Sequence, residues 1–304
     1  MTGGQAWVIS VAICTAGIRT LHQETEPLSA AEAPRPVALL TGASEGLGRE
    51  LAGLIARDGY DLIVVARNHQ RLAELAGELA HEGNTTVAIR PCDLAQPDQQ
   101  LALAEELRAQ ANLKLVINNA ACSMVGPLPS LPGEKLQQIV SLNLAAVCTL
   151  SQAALQNHDF RQGGTLLNIG SIGGCCPLPL DATYSSTKAA VHAFTQAIAF
   201  EVKHNPDLNI NVQLAKPGAI KTAWNDRSMG ALKPGIVLDP FQERLKNDPA
   251  SAAHTLWQQS KARAKPVLHD SRLTRVIDFI FSNFPALGSR WVYRSYSDET
   301  ARRG

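Results

Sequence analysis

The chain has 304 residues, 28 Lys and Arg against 27 Asp and Glu, and a formal charge of +1, so its balance shows neither a nucleic-acid surface nor an acidic tail. With 45% apolar residues it can bury a full core without disulfides, which excludes the disordered, collagen-like and multipass membrane classes. The six cysteines (Cys14, Cys92, Cys122, Cys148, Cys175, Cys176) form no C-x-x-C pair and the eight histidines show no ligand spacing; a reducing, cytoplasmic setting and no metal site are expected.

In chain order, Ala6 to Ile18 is an uncharged, mostly apolar run of 13 residues, short of the roughly 20 that span a bilayer. No Lys or Arg precedes it and no small-x-small cleavage site follows at once, so it reads as a dispensable leader and no stable membrane insertion is expected. Glu24 to Pro36 is polar, carries three prolines and reads as a linker. The expected organisation is a leader and linker over 1–35, one domain over 36–295 and a short tail over 296–304.

From Val37 onward, short apolar runs alternate with helix-length segments: Val37 to Leu40, Leu62 to Val65, Thr86 to Ile89, Leu115 to Asn118, Thr165 to Ile169 and Ile210 to Ala215. Strands without polar alternation belong to a sheet covered on both faces, so the pattern predicts a doubly wound parallel α/β domain of the Rossmann type. After Thr222 the pattern loosens at Pro234, Pro240, Pro249 and Pro266. Residues 223 to about 269 read as a mobile lid, with Trp224, Met229, Leu232, Ile236, Phe241 and Trp257 as its apolar side, before periodicity resumes from Leu273 to Phe284.

Between the first strand and its helix lies Thr41-Gly42-Ala43-Ser44-Glu45-Gly46-Leu47-Gly48, a strand-to-helix turn whose three glycines suit a phosphate against free backbone N–H groups. The second strand ends in Ala66-Arg67-Asn68. An acid there would accept from a ribose 2′-OH, whereas Arg67 suits a 2′-phosphate. NADP is therefore expected, with NAD the alternative and Glu45 the contrary sign.

Tyr184 and Lys188 stand one helical turn apart on one face, an arrangement expected to favour the phenolate. Ser171 lies 13 residues upstream, just past the fifth strand at the carboxyl edge of the sheet. Asn143 interrupts an apolar stripe of Leu136, Val140, Val147 and Leu150. A carboxamide there needs hydrogen-bond partners, through either a local helix irregularity or a functional role, and the company of Ser171, Tyr184 and Lys188 favours the second.

Taken together, these residues resemble the short-chain dehydrogenase/reductase family. The resemblance rests on the glycine motif, Asp93-Leu94 after the third strand, Asn118-Asn119-Ala120-Ala121 after the fourth, the Asn143, Ser171, Tyr184 and Lys188 tetrad, and Pro217-Gly218-Ala219-Ile220-Lys221-Thr222 after the sixth. It covers about 36–225, with a weaker match at Gly288 to Val292, and departs at Ala121, where the family carries glycine. It implies that Gly42, Ser44, Glu45, Gly46, Leu47 and Gly48 hold the dinucleotide phosphates. Arg67 and Asn68 would flank the ribose, Asp93 and Leu94 the adenine, and Asn119, Ala120 and Ala121 the cofactor's path along the fourth strand. Pro217, Gly218, Ile220 and Thr222 would lie against the nicotinamide. Tyr184 would be the acid for reduction and base for oxidation, Lys188 would hold phenol and ribose, Ser171 the carbonyl oxygen, and Asn143 a relay water. The expected activity is hydride transfer between NADP and the carbonyl or secondary alcohol of a small hydrophobic molecule; the alternative is a non-catalytic nucleotide-binding sensor or scaffold. Apolar surface on the helices containing Leu136 to Leu155 and Ala189 to Phe200 adds the expectation of a homodimer or homotetramer.

Overall fold

The structure is a computed structural model and describes residues 34–82, 85–221, 246–262 and 265–297. All of these except Pro34 belong to one unit. Seven strands form one parallel sheet in the order β3-β2-β1-β4-β5-β6-β7. They are β1 (Val37–Thr41), β2 (Asp61–Ala66), β3 (Val87–Pro91), β4 (Leu113–Asn118), β5 (Gln162–Ile169), β6 (Asn209–Ala215) and β7 (Val267–Leu268). The order reverses between β1 and β4, and at such a switch point the loops leaving the two strands part and open a crevice.

Successive residues of each strand feed opposite cores. Ala38, Leu40 and Val64 pack with α1 (Gly46–Arg57) and α2 (His69–Glu82), while Leu39, Ile63 and Val65 pack with α3 (Pro97–Ala109), α5 (Ala146–Gln156) and α7 (Ala182–Lys203). Burial on both sides explains the unbroken apolar runs in the sequence. Between α3 and α5 run a short α4 (Gly133–Val140) and a π turn over Ser141–Ala145, and α6 (His158–Arg161) precedes β5. Among the described helices, the stretch Gly133–Gln156 is long and apolar enough to cross a membrane by length and composition, yet it packs on the sheet in one layer with α3 and α7.

The expected lid over 223–269 is corrected where it is described. Pro249–Ser260 is a helix, α8, whose Ala252, Ala253, Leu256 and Trp257 are buried in the core shared with α1. Asp248 caps it by accepting from Ser251 N at 3.0 Å, and Pro249 sits at a position where a helix has no use for a donor. Trp257 anchors it: its Nε1 donates to Asp58 at 2.7 Å and its ring meets Tyr60 edge-on. Pro249, read from sequence as a breaker, thus starts a helix. Strand β7 had no sequence signal because two residues carry no period. Trp224, Met229, Leu232, Ile236 and Phe241 lie outside the described residues. The chain enters and leaves that stretch at one point, where Ile220 and Asn247 form a parallel bridge, with Asn247 N donating to Ala219 O at 2.8 Å and Lys221 N to Asn247 O at 2.9 Å. Helices α9 (Arg272–Asn283) and α10 (Pro285–Ser297) close the described chain.

Candidate active site

The glycine loop is built as much by its own close packing as by any ligand. Gly42 takes φ +69° and Gly46 φ +54°, conformations that favour glycine. A Cβ on Gly42 would stand 2.8 Å from Asn119 Nδ2, and one on Gly48 would stand 2.1 Å from Gly42 O. Asn119 ties the loop to the end of β4: its Nδ2 donates to Thr41 O and Gly42 O at 3.0 and 3.2 Å, while Thr41 Oγ1 accepts from Asn119 N and Ala120 N. Ala121 follows in the same segment. Helix α1 starts at Gly46 with no side-chain cap and no acid in its first turn, leaving its N–H groups and partial positive charge directed at the crevice.

Glu45 lacks a capping role because its carboxylate is held elsewhere, by Arg71 Nη1 at 2.6 Å. Arg71, in the first turn of α2, was not singled out from sequence; its spacing of four from Arg67 was the available signal. With Arg71 on Glu45, the acid no longer stands as an unopposed negative charge, and the objection it raised to a phosphate weakens. Arg67 is exposed at the end of β2. Asn68 caps α2, its Oδ1 accepting from Arg71 N at 3.0 Å. Ser44, Arg49 and Lys221 line the same shallow groove as Glu45 and Arg71.

Asp93 and Leu94 do structural work in their turn. Asp93 Oδ1 accepts from Ala95 N at 3.1 Å, and Leu94 is buried with its carbonyl taken by Gln100. On the other flank, Pro217 O accepts from Ile172 N at 3.0 Å, and Gly218 N donates to the Asp270 carboxylate at 3.2 Å. Asp270 also holds Asn247, so a residue absent from the sequence reading braces both edges of the loop carrying Ile220. Thr222 lies outside the described residues.

Ser171, Tyr184 and Lys188 converge. Ser171 leaves β5 into a short 3-10 turn, its Oγ accepting from Gly173 N at 3.0 Å, and it shares a hydrogen bond with the Tyr184 phenol. Lys188 is buried, donates to Ile169 O at 2.8 Å and sits 5.8 Å from the Tyr184 ring centre. Glycines permit this closeness: a Cβ on Gly174 would stand 2.7 Å from the backbone of Lys188, and one on Gly173 3.4 Å from the Tyr184 ring.

Charge tuning differs from the sequence expectation. Burial pushes the Tyr184 phenol well above its ordinary range; the Ser171 hydrogen bond acts the other way, and Asp181 adds to the rise. Burial therefore works against the expected phenolate and favours the protonated phenol. Lys188 is itself brought down to about 8 by burial. Asp181, just before α7, is raised to about 6 by burial although Ser123 Oγ donates to it at 2.5 Å.

Asn143 sits in the π turn, where Ala146 N bonds back five residues to Ser141 O. Its carboxamide is fully engaged: Oδ1 accepts from Cys122 N at 2.8 Å, and Nδ2 donates to Cys122 O at 2.8 Å and Thr187 Oγ1 at 3.2 Å. It clamps the segment after β4 onto α7 at Thr187, the residue just before Lys188. A single α-helical projection fails across that turn, so Ile139 rather than Val140 is buried, and Val140 is 44% exposed.

His192 extends the catalytic face one more turn beyond Tyr184 and Lys188 and was missed. Its Nε2 accepts from Ser171 N at 3.4 Å, and burial, helped by Lys216 and Lys188, lowers it to about 4, so it is neutral. Gly170 leaves it room; a Cβ there would be 2.6 Å away. Neighbouring Cys175 donates to Asp278, and burial with that contact pushes the thiol up to about 12, which makes it inert filler rather than a redox group. Among the described residues no group of His, Cys, Asp and Glu could hold a metal.

Comparison with known proteins places this arrangement. The sequence profile described as short chain dehydrogenase matches residues 36–231. The chain belongs to that family. Among solved short chain dehydrogenases, one from Sphingobium yanoikuyae in complex with NADPH is 27% identical, with a TM-score of 0.69 over 83% of this chain and 95% of that one. The bulky-bulky ketone specific alcohol dehydrogenase from Comamonas testosteroni is also 27% identical, with a TM-score of 0.66 over 84% and 94%. A very-long-chain 3-oxoacyl-CoA reductase from Laccaria bicolor is 32% identical over 180 residues, 58% of this chain and 52% of that protein. The chain spans about half the length of the curated relatives it matches first.

Proposed function

We propose that this short chain dehydrogenase is an NADPH-dependent carbonyl reductase acting on a ketone carried by an apolar chain. The observation that carries the reading is the convergence of Ser171, Tyr184 and Lys188 at the carboxyl edge of the sheet, with Ser171 and Lys188 buried and Ser171 hydrogen-bonded to the half-buried phenol. The dinucleotide fits the residues present: an uncapped α1 N-terminus beside Ser44, Gly46 and Leu47 for phosphates, and Arg67, seconded by Arg71, for a 2′-phosphate.

When bound, NADPH supplies the hydride. The chain's own residues supply the rest. Ser171 Oγ donates to the carbonyl oxygen as negative charge gathers there, and Tyr184 Oη gives up its proton to the same oxygen. The Lys188 ammonium compensates the phenolate left behind, and reprotonation restores the starting state. Neutral His192 accepts from the backbone of Ser171 and fixes the loop that aims it. The ketone class rests on the names of the relatives, a 3-oxoacyl thioester reductase and a bulky ketone dehydrogenase.

The test is consumption of NADPH, and of NADH beside it, with 3-oxoacyl thioesters of rising chain length and with bulky ketones. NADPH turnover that improves with chain length supports the reading; preference for NADH refutes the cofactor, and no turnover by protein that binds NADPH refutes the activity. Val140 and Phe200, 44% and 65% exposed on α4 and α7, favour a homo-oligomer through those helices, which light scattering would detect as a multiple of 32.6 kDa.

A further inference from the structure

We propose that the outer face of α9 and α10 is a docking surface for an anionic lipid bilayer. Of the eleven large apolar side chains exposed among the described residues, six lie on these two helices and a seventh, Phe284, joins them, so the patch is concentrated rather than scattered. On α9, Leu273, Val276 and Ile280 recur at steps of three and four and share one face, with Phe279 beside them; Phe284 and Leu287 continue it across the turn into α10. Their exposures run from 39% for Ile280 to 65% for Phe279, although Thr274 and Phe281 on the opposite side of α9 are buried. Phe281 meets Trp291 edge-on, and a Cβ on Gly288 would stand 2.8 Å from it, so the two helices are packed together and their outward residues form one surface.

Charge selects the occupant. Arg272, Arg275 and Arg290 are exposed along this face. The one acid of the two helices, Asp278, turns inward to Lys216 at 3.1 Å and His269 at 2.8 Å, and those partners with Cys175 hold its carboxyl far below the usual range despite burial. An apolar stripe edged by arginines, with no outward carboxylate among the described residues, matches a headgroup layer above acyl chains; such helices lie in the interface rather than across it. A second copy docked face to face would oppose arginine to arginine with no acid between them. The site of reduction and this surface share an element, since Lys216, next to Pro217, is the residue that pins Asp278 of α9.

The experiment is co-sedimentation of the full chain with vesicles of phosphatidylcholine alone and of phosphatidylcholine mixed with phosphatidylserine. The chain should pellet with the mixed vesicles and be released by salt. Phe279→Asp with Ile280→Asp, and separately Arg272→Glu with Arg275→Glu, should each weaken that binding by about tenfold or more while circular dichroism stays unchanged. Should the aspartate pair unfold the chain, the milder Val276→Thr with Leu287→Gln replaces it and should weaken binding in the same direction. Failure of the wild type to pellet with either vesicle overturns the proposal. So does pelleting that survives both apolar substitutions, which would place the contact elsewhere, residues 6–18 being the obvious alternative. A third refuting result is a drop in mass by light scattering on substitution without any vesicle binding, which would make a second copy the occupant.

Discussion

The two halves of the crevice are built on opposite principles. On the side of β1 and β2, the groups suited to a charged ligand are exposed: Arg67, Asn68 and Arg71 stand in solvent, and the α1 N-terminus carries no cap. On the side of β5 and α7, the groups suited to a proton are withdrawn: Lys188, Ser171 and Asn143 are buried, and burial sets the protonation of Tyr184, Lys188, Asp181 and His192. Permanent charges can recognise a phosphate through water, whereas burial makes each ionised form costly and so decides where a proton rests. One half works by charge kept available, the other by charge made costly.

The sharpest way to break this contrast is in the buried half. Tyr184→Phe should lower turnover by about 10²- to 10⁴-fold with NADPH affinity little changed, as read by steady-state rates beside a fluorescence titration. Lys188→Ala should damage both. A Tyr184→Phe enzyme turning over at near the wild-type rate would move the proton donor elsewhere.

Next in size is Arg67 in the exposed half. Arg67→Asp should raise the NADPH KM by roughly ten- to a hundredfold and narrow the gap to NADH, because it removes a charge-assisted bond and adds a 2′-OH acceptor. Arg71→Ala should have a smaller effect in the same direction, through the release of Glu45. If Arg71→Ala instead improves NADPH binding, the Glu45 pairing competes with the phosphate rather than permitting it.

Asn143→Ala should cost about 1–3 kcal/mol in chemical denaturation, since it strands Cys122 N and O in a buried place. Turnover should fall more than the loss of folded protein explains, because the clamp on α7 at Thr187 lies between Tyr184 and Lys188.

The smallest effect is in pH dependence. His192 is lowered from 6.5 to about 4, so the unfolded chain takes up a proton that the folded one refuses, and stability falls as pH drops through that window. Asp181, raised from 3.8 to about 6, acts in the opposite sense, since the folded chain holds the extra proton there and loses that advantage as pH rises. His192→Gln should flatten the acid limb of thermal unfolding between pH 6.5 and 4, and Asp181→Asn should steepen it; a His192→Gln profile that overlays the wild type would show that the ring protonates without cost.

What could be read from the sequence follows the same division. The sheet, its six longer strands and the glycine loop declare themselves because strand runs and strand-to-helix turns are local. The tetrad is legible as residue types, and Tyr184 and Lys188 as neighbours one turn apart. Its charge tuning is not, since the burial that works against the expected phenolate is a property of the packed chain. The stripe through Val140 failed because the extra residue of the π turn puts Val140, before it, out of phase with Val147 and Leu150, after it. Arg71, His192 and Asp270 escaped because each acts on a partner from another element: Glu45, Ser171 and Gly218.

The bridge between Ile220 and Asn247 has a consequence for how such a protein can be altered. Both ends of the intervening chain are fastened to each other and, through Asp270, to the loop beside β6, while α8 is riveted to α1 by Trp257. The framework therefore offers a socket whose rims are fixed independently of what is plugged into it. Doubling the length of an insert between fixed rims costs only about 0.6 kcal/mol in closure entropy. A foreign segment grafted between Lys221 and Lys246 should leave the sheet and the tetrad standing, so that this stretch can be exchanged without rebuilding the framework.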